Sequence, residues 1–187
     1  YFKKSIPGLE KTILPNNRFK QLITDFADQT EGSAVTKLYD WGPLASFLAD
    51  VLHKDTLYKM DDRIASANVM TYYEDEALNW HFDHSEFTTT ILLQAPNFCG
   101  EFEYLQDLRS PDNPNYKDVA DLLSGNLQTS IYPQTAGLNV FKGVNTAHRV
   151  TPDEGKTPRI NTVLTYYEEL RKRFSAEEHL GFFGRKT

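Results

Sequence analysis

The feature that most constrains the fold is a change in the hydrophobic pattern near residue 63. Before this point, apolar residues recur at helical spacing over residues 17–26 and 44–53, and Gly42-Pro43 is a helix start signal. After it, β-rich segments alternate with Gly, Pro and Asn, and they cover residues 64–73, 87–94, 101–105, 138–141 and 160–167. Helices followed by many short strands predict a mainly β barrel or sandwich with flanking helices.

The domain organisation follows from this pattern and from the length of 187 residues, which suits one domain with a real core. We expect residues 1–62 to form mostly helical support, residues 63–170 to form the β core, and residues 171–187 to form a C-terminal tail or lid. Residues 108–126 interrupt the strands and include a short helical pattern over residues 116–123. This stretch predicts an insertion that could cover a site.

Composition argues against several classes of function. The net charge is −6, and an acidic chain without a local basic patch is poorly suited to bind a nucleic-acid backbone. No apolar run approaches the roughly 20 residues of a membrane span, and no signal-peptide pattern is visible. Cys99 is the single cysteine, so no intrachain disulfide can form. Together these features predict a cytoplasmic protein that binds neither nucleic acid nor membrane.

Three residues have the chemistry of a metal centre. His81 and Asp83 are two apart in a strand-like context, where residues i and i+2 point to the same face. His148 follows a later predicted strand and a glycine-containing turn. Two histidines and one carboxylate form the facial triad that holds Fe(II) and leaves positions open for chemistry. The alternative for His81 and Asp83 taken alone is a surface ion pair.

Arg159 stands at the start of the last strong strand pattern, and Asn161 and Thr165 share its face by alternation. If this face points toward the metal, the guanidinium can hold the distal carboxylate of a dicarboxylate with two parallel hydrogen bonds. The alternative is an ordinary edge-strand arginine.

These features together resemble the Fe(II)/2-oxoglutarate oxygenase superfamily. The resemblance lies in His81-Phe82-Asp83, in residues 137–141 (GLNVF), in residues 148–150 (HRV) and in residues 159–161 (RIN). It implies a double-stranded β-helix, which is a cupin-like jelly-roll barrel, and it implies Fe(II), 2-oxoglutarate and O2 as cofactors. The superfamily usually has Ser or Thr two residues after the arginine, and Asn161 stands there in this chain.

A closer resemblance is carried by residues 80–90 (WHFDHSEFTTT), 92–96 (LLQAP) and 100–102 (GEF). These segments are similar to the hydroxylase relatives of the radical halogenases that act on free amino acids, often lysine. The halogenases replace the metal-binding carboxylate with Gly or Ala, which leaves room for chloride, whereas Asp83 keeps it. The resemblance therefore implies hydroxylation of a free amino acid, lysine or a similar cationic one, with release of succinate and CO2.

Further residues are candidates for contacts with the cofactor or the substrate. Asn68 and Tyr72 share a strand face and could hydrogen-bond 2-oxoglutarate, or they could belong to the core. Arg18 resembles the arginine that binds the substrate carboxylate in the amino-acid relatives, and its alternative is a helix-surface arginine. Four other residues are substrate candidates. Thr165 could offer a hydroxyl contact or bond to the backbone, and His84 could form a pocket wall or lie on the surface. Asp62 could bind an ammonium group or be a solvated loop charge, and Phe182 could close a lid or belong to a packed tail.

Three other functions remain to be weighed. The oxygenase could act on a peptidyl residue, as prolyl hydroxylases do, or on another small molecule. The barrel could bind metal without catalysis, although a complete triad with Arg159 argues against a decayed site. A nucleic-acid demethylase is disfavoured by the acidic charge and by the lack of an aromatic and basic patch.

Overall fold

The computed structural model describes residues 22–24, 32–132 and 137–183. The strands in those residues are β1 (Leu22–Thr24), β2 (Tyr58–Lys59), β3 (Ala67–Tyr72), β4 (Leu78–His81), β5 (Thr88–Gln94), β6 (Phe102–Leu105), β7 (Ser130–Tyr132), β8 (Leu138–Phe141), β9 (Ala147–Val150), β10 (Arg159–Leu164) and β11 (Tyr166–Tyr167). The helices are α1 (Ala34–Asp40), α2 (Gly42–Leu52), α3 (Tyr116–Leu123) and α4 (Ala176–Phe183). Within the described part of the chain, none of these helices has the length and apolar character needed to cross a membrane.

The strands form two main antiparallel sheets and a small two-stranded one. The larger sheet has the order β1-β3-β10-β5-β8, and the smaller main sheet has the order β4-β9-β6-β7. Strands β11 and β2 pair separately. The mainly β fold with flanking helices that the sequence predicts is therefore confirmed, and its strands lie in separate sheets.

A pocket opens between the two main sheets. Its lining comes from both of them, and it consists of Thr90, Leu92, Phe102, Tyr132, Gly137, Asn139, Arg159 and Asn161. The ring of Phe102 in β6 also lies 5.4 Å from the ring of Phe141 in β8, measured between centroids. The inner faces of the sheets thus carry both polar groups and aromatic rings.

Helices α1 and α2 cover the outer face of the larger sheet. Leu44 and Leu48 of α2 are buried together with Ala67 of β3 and Leu164 of β10. Ile91 of β5 packs against the same cluster, whereas its neighbours Thr90 and Leu92 line the pocket. This alternation is expected for a strand that is buried on both faces, with helices on one side and the pocket on the other.

The stretch over residues 108–126 does not lie where the sequence suggested. Leu108 and Leu122 pack with Ala147 of β9, and Trp80 and Phe82 pack against this cluster. Trp80, Phe82 and Ala147 each adjoin a histidine or carboxylate of the predicted triad and point to the opposite face. The insertion therefore supports the back of the smaller sheet and is no lid over its front.

The prediction of a helix over residues 17–26 is wrong at Leu22–Thr24, which form β1 and pair antiparallel with β3. A run of Leu, Ile and Thr fits either state over so short a length, and pairing with an exposed sheet edge favours the strand. Elsewhere the agreement is close, because the predicted helix over residues 116–123 and strand over residues 138–141 coincide with α3 and β8.

Candidate metal centre

The three predicted ligands meet at one end of the smaller sheet. His81 is the last residue of β4 and lies opposite His148 of β9 in the strand register. Their ring centroids are 4.0 Å apart. Nε2 of His81 lies 3.6 Å from Oδ1 of Asp83, and Nε2 of His148 lies 3.5 Å from Oδ2 of the same carboxylate. One ligand atom from each residue lies within 4.8 Å of the others.

Backbone carbonyl groups orient both imidazoles. Nδ1 of His81 lies 2.6 Å from the carbonyl oxygen of Asn79, and Nδ1 of His148 lies 3.0 Å from that of Thr146. A carbonyl oxygen can only accept, so Nδ1 carries the proton in each ring. The Nε2 atoms face Asp83, and in the neutral rings they carry the lone pairs that can bind a metal.

The carboxylate of Asp83 lies just after β4 and is held by two other elements. The hydroxyl of Thr88 in β5 donates to Oδ2, and the amide of Asp83 donates to the carbonyl of Gly143 at 3.0 Å. A Cβ atom on Gly143 would overlap the carboxylate and would lie 2.8 Å from Cβ of Asp83. Glycine is thus required here by the close approach of the carboxylate. From the sequence, this glycine was recognised only as part of a turn before His148.

The electrostatics of the cluster favour an ionised carboxylate. Burial opposes ionisation of Asp83, but the imidazoles of His148 and His81 outweigh burial and hold the pKa of the Asp83 carboxyl well below its usual value. Burial likewise disfavours the charged form of His81, and the hydrogen bond and charge of Asp83 reverse this and raise the pKa of His81. The ionised Asp83 carboxylate gives the cluster a negative charge. A proton on an imidazole can compensate this charge, and a bound metal cation can take the place of that proton.

These residues fit a divalent iron ion. Ligand atoms bound at right angles to one cation at about 2.1 Å lie about 3 Å apart, close to the two distances to Asp83. Two imidazoles and one carboxylate are the donor set of non-haem Fe(II) sites, and they occupy three adjacent positions. Residues His81, Asp83 and His148 can therefore hold Fe(II) with little rearrangement.

Arg159 supplies the cationic group of the neighbouring pocket. Its side chain is 7% exposed, and its Nε and Nη1 atoms have no hydrogen-bond partner among the described residues. Burial lowers the pKa of Arg159 from its usual value, although a guanidinium stays charged in proteins. Buried donors without partners are costly, so an anion in the pocket would stabilise the guanidinium, whose nearby counter-charge among the described residues is Asp153.

Phe102 links this pocket to the metal cluster. It lines the pocket with Arg159, and its ring centroid lies 5.6 Å from that of His148. Phe102 therefore contacts both the pocket that contains Arg159 and the imidazole of His148. Sequence reasoning missed Phe102 because nothing in its own segment marks it as different from a core residue.

The other predicted cofactor contacts divide into two groups. Asn161 lines the pocket, and its buried Oδ1 has no partner among the described residues. Asn68 and Tyr72 are buried but do not line this pocket; Asn68 donates to the carbonyl of Ala65 at 3.3 Å, and Tyr72 lies opposite Arg159 in the strand register. The structure thus brings Asn161 to the same pocket as Arg159. Oδ1 of Asn68 is likewise buried without a hydrogen-bond partner among the described residues, and Tyr72 interacts electrostatically with Arg159, so the cofactor contacts of Asn68 and Tyr72 stay predictions.

Asp62 is occupied by contacts within the protein. Its Oδ1 accepts the amides of Ile64 and Ala65, and its Oδ2 accepts the amide of Phe174 at 3.1 Å. Nε2 of His179 in α4 lies 2.7 Å from Oδ2. This buried network favours a structural role for Asp62 over the ammonium contact that we expected. The sequence did not indicate the network, because Phe174 and His179 are more than 100 positions from Asp62 in the chain.

His84 and Thr165 also have partners away from the pocket lining. Nδ1 of the exposed His84 lies 3.3 Å from Oε1 of Glu178 in α4, so this histidine faces the C-terminal helix. The hydroxyl of Thr165 donates to the carbonyl of Ala65 at 3.3 Å, which favours the backbone-bonded alternative. Arg18 and the side chain of Phe182 lie outside the described residues.

Tyr167 lies near several of these carboxylates. Burial, with Glu178 and Asp83 nearby, raises the pKa of Tyr167 to about 12, so its hydroxyl keeps its proton. Tyr167 of β11 therefore lies within electrostatic range of both Glu178 of α4 and Asp83. The sequence did not indicate that Tyr167 or Glu178 would lie near the metal centre.

Comparison with known proteins gives a consistent result. A family model described as Halogenase D matches residues 15–183. No curated protein matches the chain.

Similar folds occur among solved structures. One is an oxidoreductase of the 2OG-Fe(II) oxygenase family from Burkholderia pseudomallei, with 14% identity, a TM-score of 0.57, and coverage of 83% of this chain and 70% of that one. A second is AviO1 from Streptomyces viridochromogenes Tue57, with 12% identity, a TM-score of 0.61, and coverage of 89% and 80% respectively. A third is a prolyl hydroxylase from Trichoplax adhaerens in complex with a hypoxia-inducible-factor peptide fragment, with 15% identity, a TM-score of 0.51, and coverage of 84% and 67%. At such identities the likeness concerns the fold, and it confirms the predicted jelly-roll.

Proposed function

The chain belongs to the halogenase D family, and from that premise we propose that it is an Fe(II)/2-oxoglutarate-dependent dioxygenase that hydroxylates a free amino acid. The observation that carries the proposal is a complete His-Asp-His cluster beside a pocket lined by Arg159, whose Nε and Nη1 atoms have no hydrogen-bond partner among the described residues. The cluster supplies the ligand set for iron, and the guanidinium supplies the group that a dicarboxylate co-substrate requires.

In this proposal, His81, Asp83 and His148 hold the metal. Bound Fe(II) with 2-oxoglutarate supplies the activation of O2 and the oxidation of an aliphatic C–H bond, with release of succinate and CO2. The backbone carbonyls of Asn79 and Thr146 keep the protons of the two imidazoles on Nδ1, so that Nε2 stays available as a ligand.

Arg159 binds and orients the co-substrate in this proposal. Its Nε and Nη1 atoms have no hydrogen-bond partner among the described residues, so both remain available to donate to a carboxylate of the bound dicarboxylate. Phe102 and Tyr132 line the same pocket and limit access of water to it.

Asp83 favours hydroxylation over halogenation, although the family model is named for a halogenase. The carboxylate occupies the position that a halide would need, and Thr88 and Gly143 hold it there. A retained carboxylate with its own cradle supports a hydroxylase.

For the substrate, we propose lysine or a similar cationic amino acid. The support is the resemblance of residues 80–90 to enzymes of free amino acids. A peptidyl residue is the second candidate, favoured by the fold shared with a prolyl hydroxylase.

The test is a substrate screen with mass detection. Protein loaded anaerobically with Fe(II) is mixed with 2-oxoglutarate, O2, chloride and each common free L-amino acid, and succinate and modified amino acids are measured. We expect the mass gain of one oxygen atom on a cationic amino acid. His81→Ala should abolish it, whereas His53→Asn, at an exposed histidine in a left-handed helix cap, should preserve it.

Other outcomes separate the alternatives. Chlorine incorporation would contradict the role given to Asp83. Succinate formation without a modified amino acid would retain the oxygenase and transfer the substrate to a peptide or another small molecule. Absence of succinate together with absence of retained iron would contradict the proposal as a whole and leave a non-catalytic barrel.

A further inference from the structure

Arg109 lies in the insertion behind the metal-bearing strands and contacts two parts of the metal centre. Its guanidinium carbon lies 3.8 Å from the centroid of the Phe82 ring. Its Nε donates to the carbonyl of Val144 at 2.7 Å, and its amide donates to that of Asn145 at 3.3 Å. The apolar core of the insertion is formed by Leu108, Leu122 and their apolar neighbours, and Arg109 lies beside it in the chain.

The first contact acts on the segment between two ligands. Phe82 stands between His81 and Asp83, and its ring points away from them into the cluster behind the sheet. A guanidinium over an aromatic face is attracted to it electrostatically, and this contact restrains the ring. Because β4 ends at His81, this stacking restrains a backbone that no longer has strand hydrogen bonds on every residue.

The second contact acts on the turn formed by residues 142–146. The amides of Asn145 and Thr146 both donate to the carbonyl of Lys142, so the turn is tight. Its other carbonyls point in two directions. Those of Gly143 and Thr146 accept from the amide of Asp83 and from Nδ1 of His148, and the two between them accept from Arg109.

We propose that Arg109 is a positioning residue for the metal centre, because it joins the segment that carries His81 and Asp83 to the turn that orients Asp83 and His148. This inference rests on the proposed metal site. Arg109 reaches no ligand atom, so its effect passes through Phe82 and through the carbonyls of the turn. The planar guanidinium of arginine suits this role, because one group must stack on the Phe82 ring and also donate a hydrogen bond within its own plane to the carbonyl of Val144.

Arg149 offers a matched control on the same face. Its guanidinium carbon lies 4.9 Å from the centroid of Trp80, the residue before His81, and its Nε bonds Oε2 of Glu103 at 2.6 Å. It thus has a similar cation–aromatic contact beside a ligand but no bond to the turn. A difference between the two arginines isolates the contribution of the turn.

The experiment measures Co(II) binding by competition titration and by the visible d–d absorption of the Co(II) form. We expect Arg109→Met to weaken binding by about tenfold, the lower end for residues that orient metal ligands, and to change the d–d spectrum. Arg149→Met should bind Co(II) within about threefold of the wild-type affinity, with an unchanged spectrum. Circular dichroism of the metal-free proteins monitors folding, and Arg109→Lys, which keeps the charge but lacks the fork, replaces Arg109→Met if that variant does not fold.

The outcomes are distinguishable. Equal losses in the Arg109 and Arg149 variants, or an unchanged Co(II) affinity and spectrum in a folded Arg109 variant, would overturn the positioning role while leaving the metal site intact. Failure of the wild-type protein to bind Co(II), or binding that survives His81→Ala, would instead overturn the proposed metal site itself.

Discussion

At the scale of single residues, the metal centre depends on groups that are not ligands. Gly143, Thr88 and the carbonyls of Asn79 and Thr146 determine where the Asp83 carboxylate and the histidine Nε2 atoms lie. Their chemistry is ordinary, and their importance comes from close approach and from the direction of one hydrogen bond. Substitutions of Gly143 and Thr88 should therefore weaken metal binding, whereas the backbone carbonyls of Asn79 and Thr146 persist when their side chains are changed.

Gly143→Ala tests the close approach. The added methyl group would overlap the Asp83 carboxylate and the Thr88 hydroxyl, and the turn that carries it is hydrogen-bonded and cannot withdraw easily. We expect a loss of metal affinity of at least about tenfold and a destabilisation of about 1–3 kcal/mol. Gly42→Ala, at a site with open space, is the control, and equal behaviour of the two variants in a Co(II) titration would contradict the prediction.

Thr88→Val tests the hydroxyl with little change in shape. The variant removes the donor to Oδ2 of Asp83, so the carboxylate is free to rotate, and Co(II) affinity should fall by about tenfold. Thr88→Ser keeps the hydroxyl and should retain most of the affinity. If both variants bind Co(II) like the wild type, the hydrogen bond does not orient the ligand.

Arg159→Met tests the anion site. Removal of a buried charge that pairs with a ligand costs about 2 kcal/mol or more, so the KM for 2-oxoglutarate should rise by at least about thirtyfold. Metal affinity without co-substrate should stay unchanged because Arg159 is not a ligand. A variant with a normal KM for 2-oxoglutarate would show that the dicarboxylate binds elsewhere.

At the scale of elements, the C-terminal helix α4 is attached through Asp62, which also accepts the amides of Ile64 and Ala65. Burial raises the pKa of the Asp62 carboxyl, but the amides of Ala65, Phe174 and Ile64 and the ring of His179 outweigh burial and lower it overall. A carboxyl with a lowered folded-state pKa stabilises the fold above its unfolded pKa, and this contribution is lost as the pH falls through the folded value.

Asp62→Asn should therefore destabilise the protein at neutral pH by about 1.5–3 kcal/mol, because the new amide group faces the amide of Phe174. Urea unfolding measures the free energy of unfolding. The difference in this free energy between the variant and the wild type should become smaller in acid, because Asp62 of the wild type becomes protonated. Asp61→Asn, at the neighbouring exposed ion pair with Arg173, should cost less than about 1 kcal/mol. A gap that is constant with pH would contradict the electrostatic explanation.

At the scale of the whole molecule, the metal centre joins strands from distant parts of the chain. Asp83, Thr88, Gly143 and His148 come from segments that contact each other only in the folded state. A metal that binds the folded state alone stabilises it by RT ln(1 + [L]/Kd), about 2.7 kcal/mol at one hundred times Kd. We expect Fe(II) or Co(II) to raise the unfolding temperature of the wild type and a chelator to reverse this. His81→Ala should show no such rise, and an equal rise in this variant would mean that metal binds elsewhere.

Periodicity and residue chemistry were enough to predict much of this protein. The strands β5, β6, β8 and β10 and the helix α3 follow from short-range patterns, because alternation and turn residues act within a few positions. The donor set of His81, Asp83 and His148 and the nearby arginine could also be read, since metal ligands are limited to few residue types.

Tertiary structure alone decided the rest. The bond from Thr88 to Asp83, the side of the sheet on which the insertion packs, and the contact of Asp62 with His179 all depend on how strands and helices pack, and the last of these spans 117 positions. A contact across 117 positions leaves no local pattern, because each residue would be equally acceptable in its own segment without it. The sequence by itself therefore determined which chemistry the chain can hold, and packing determined which side chains position it.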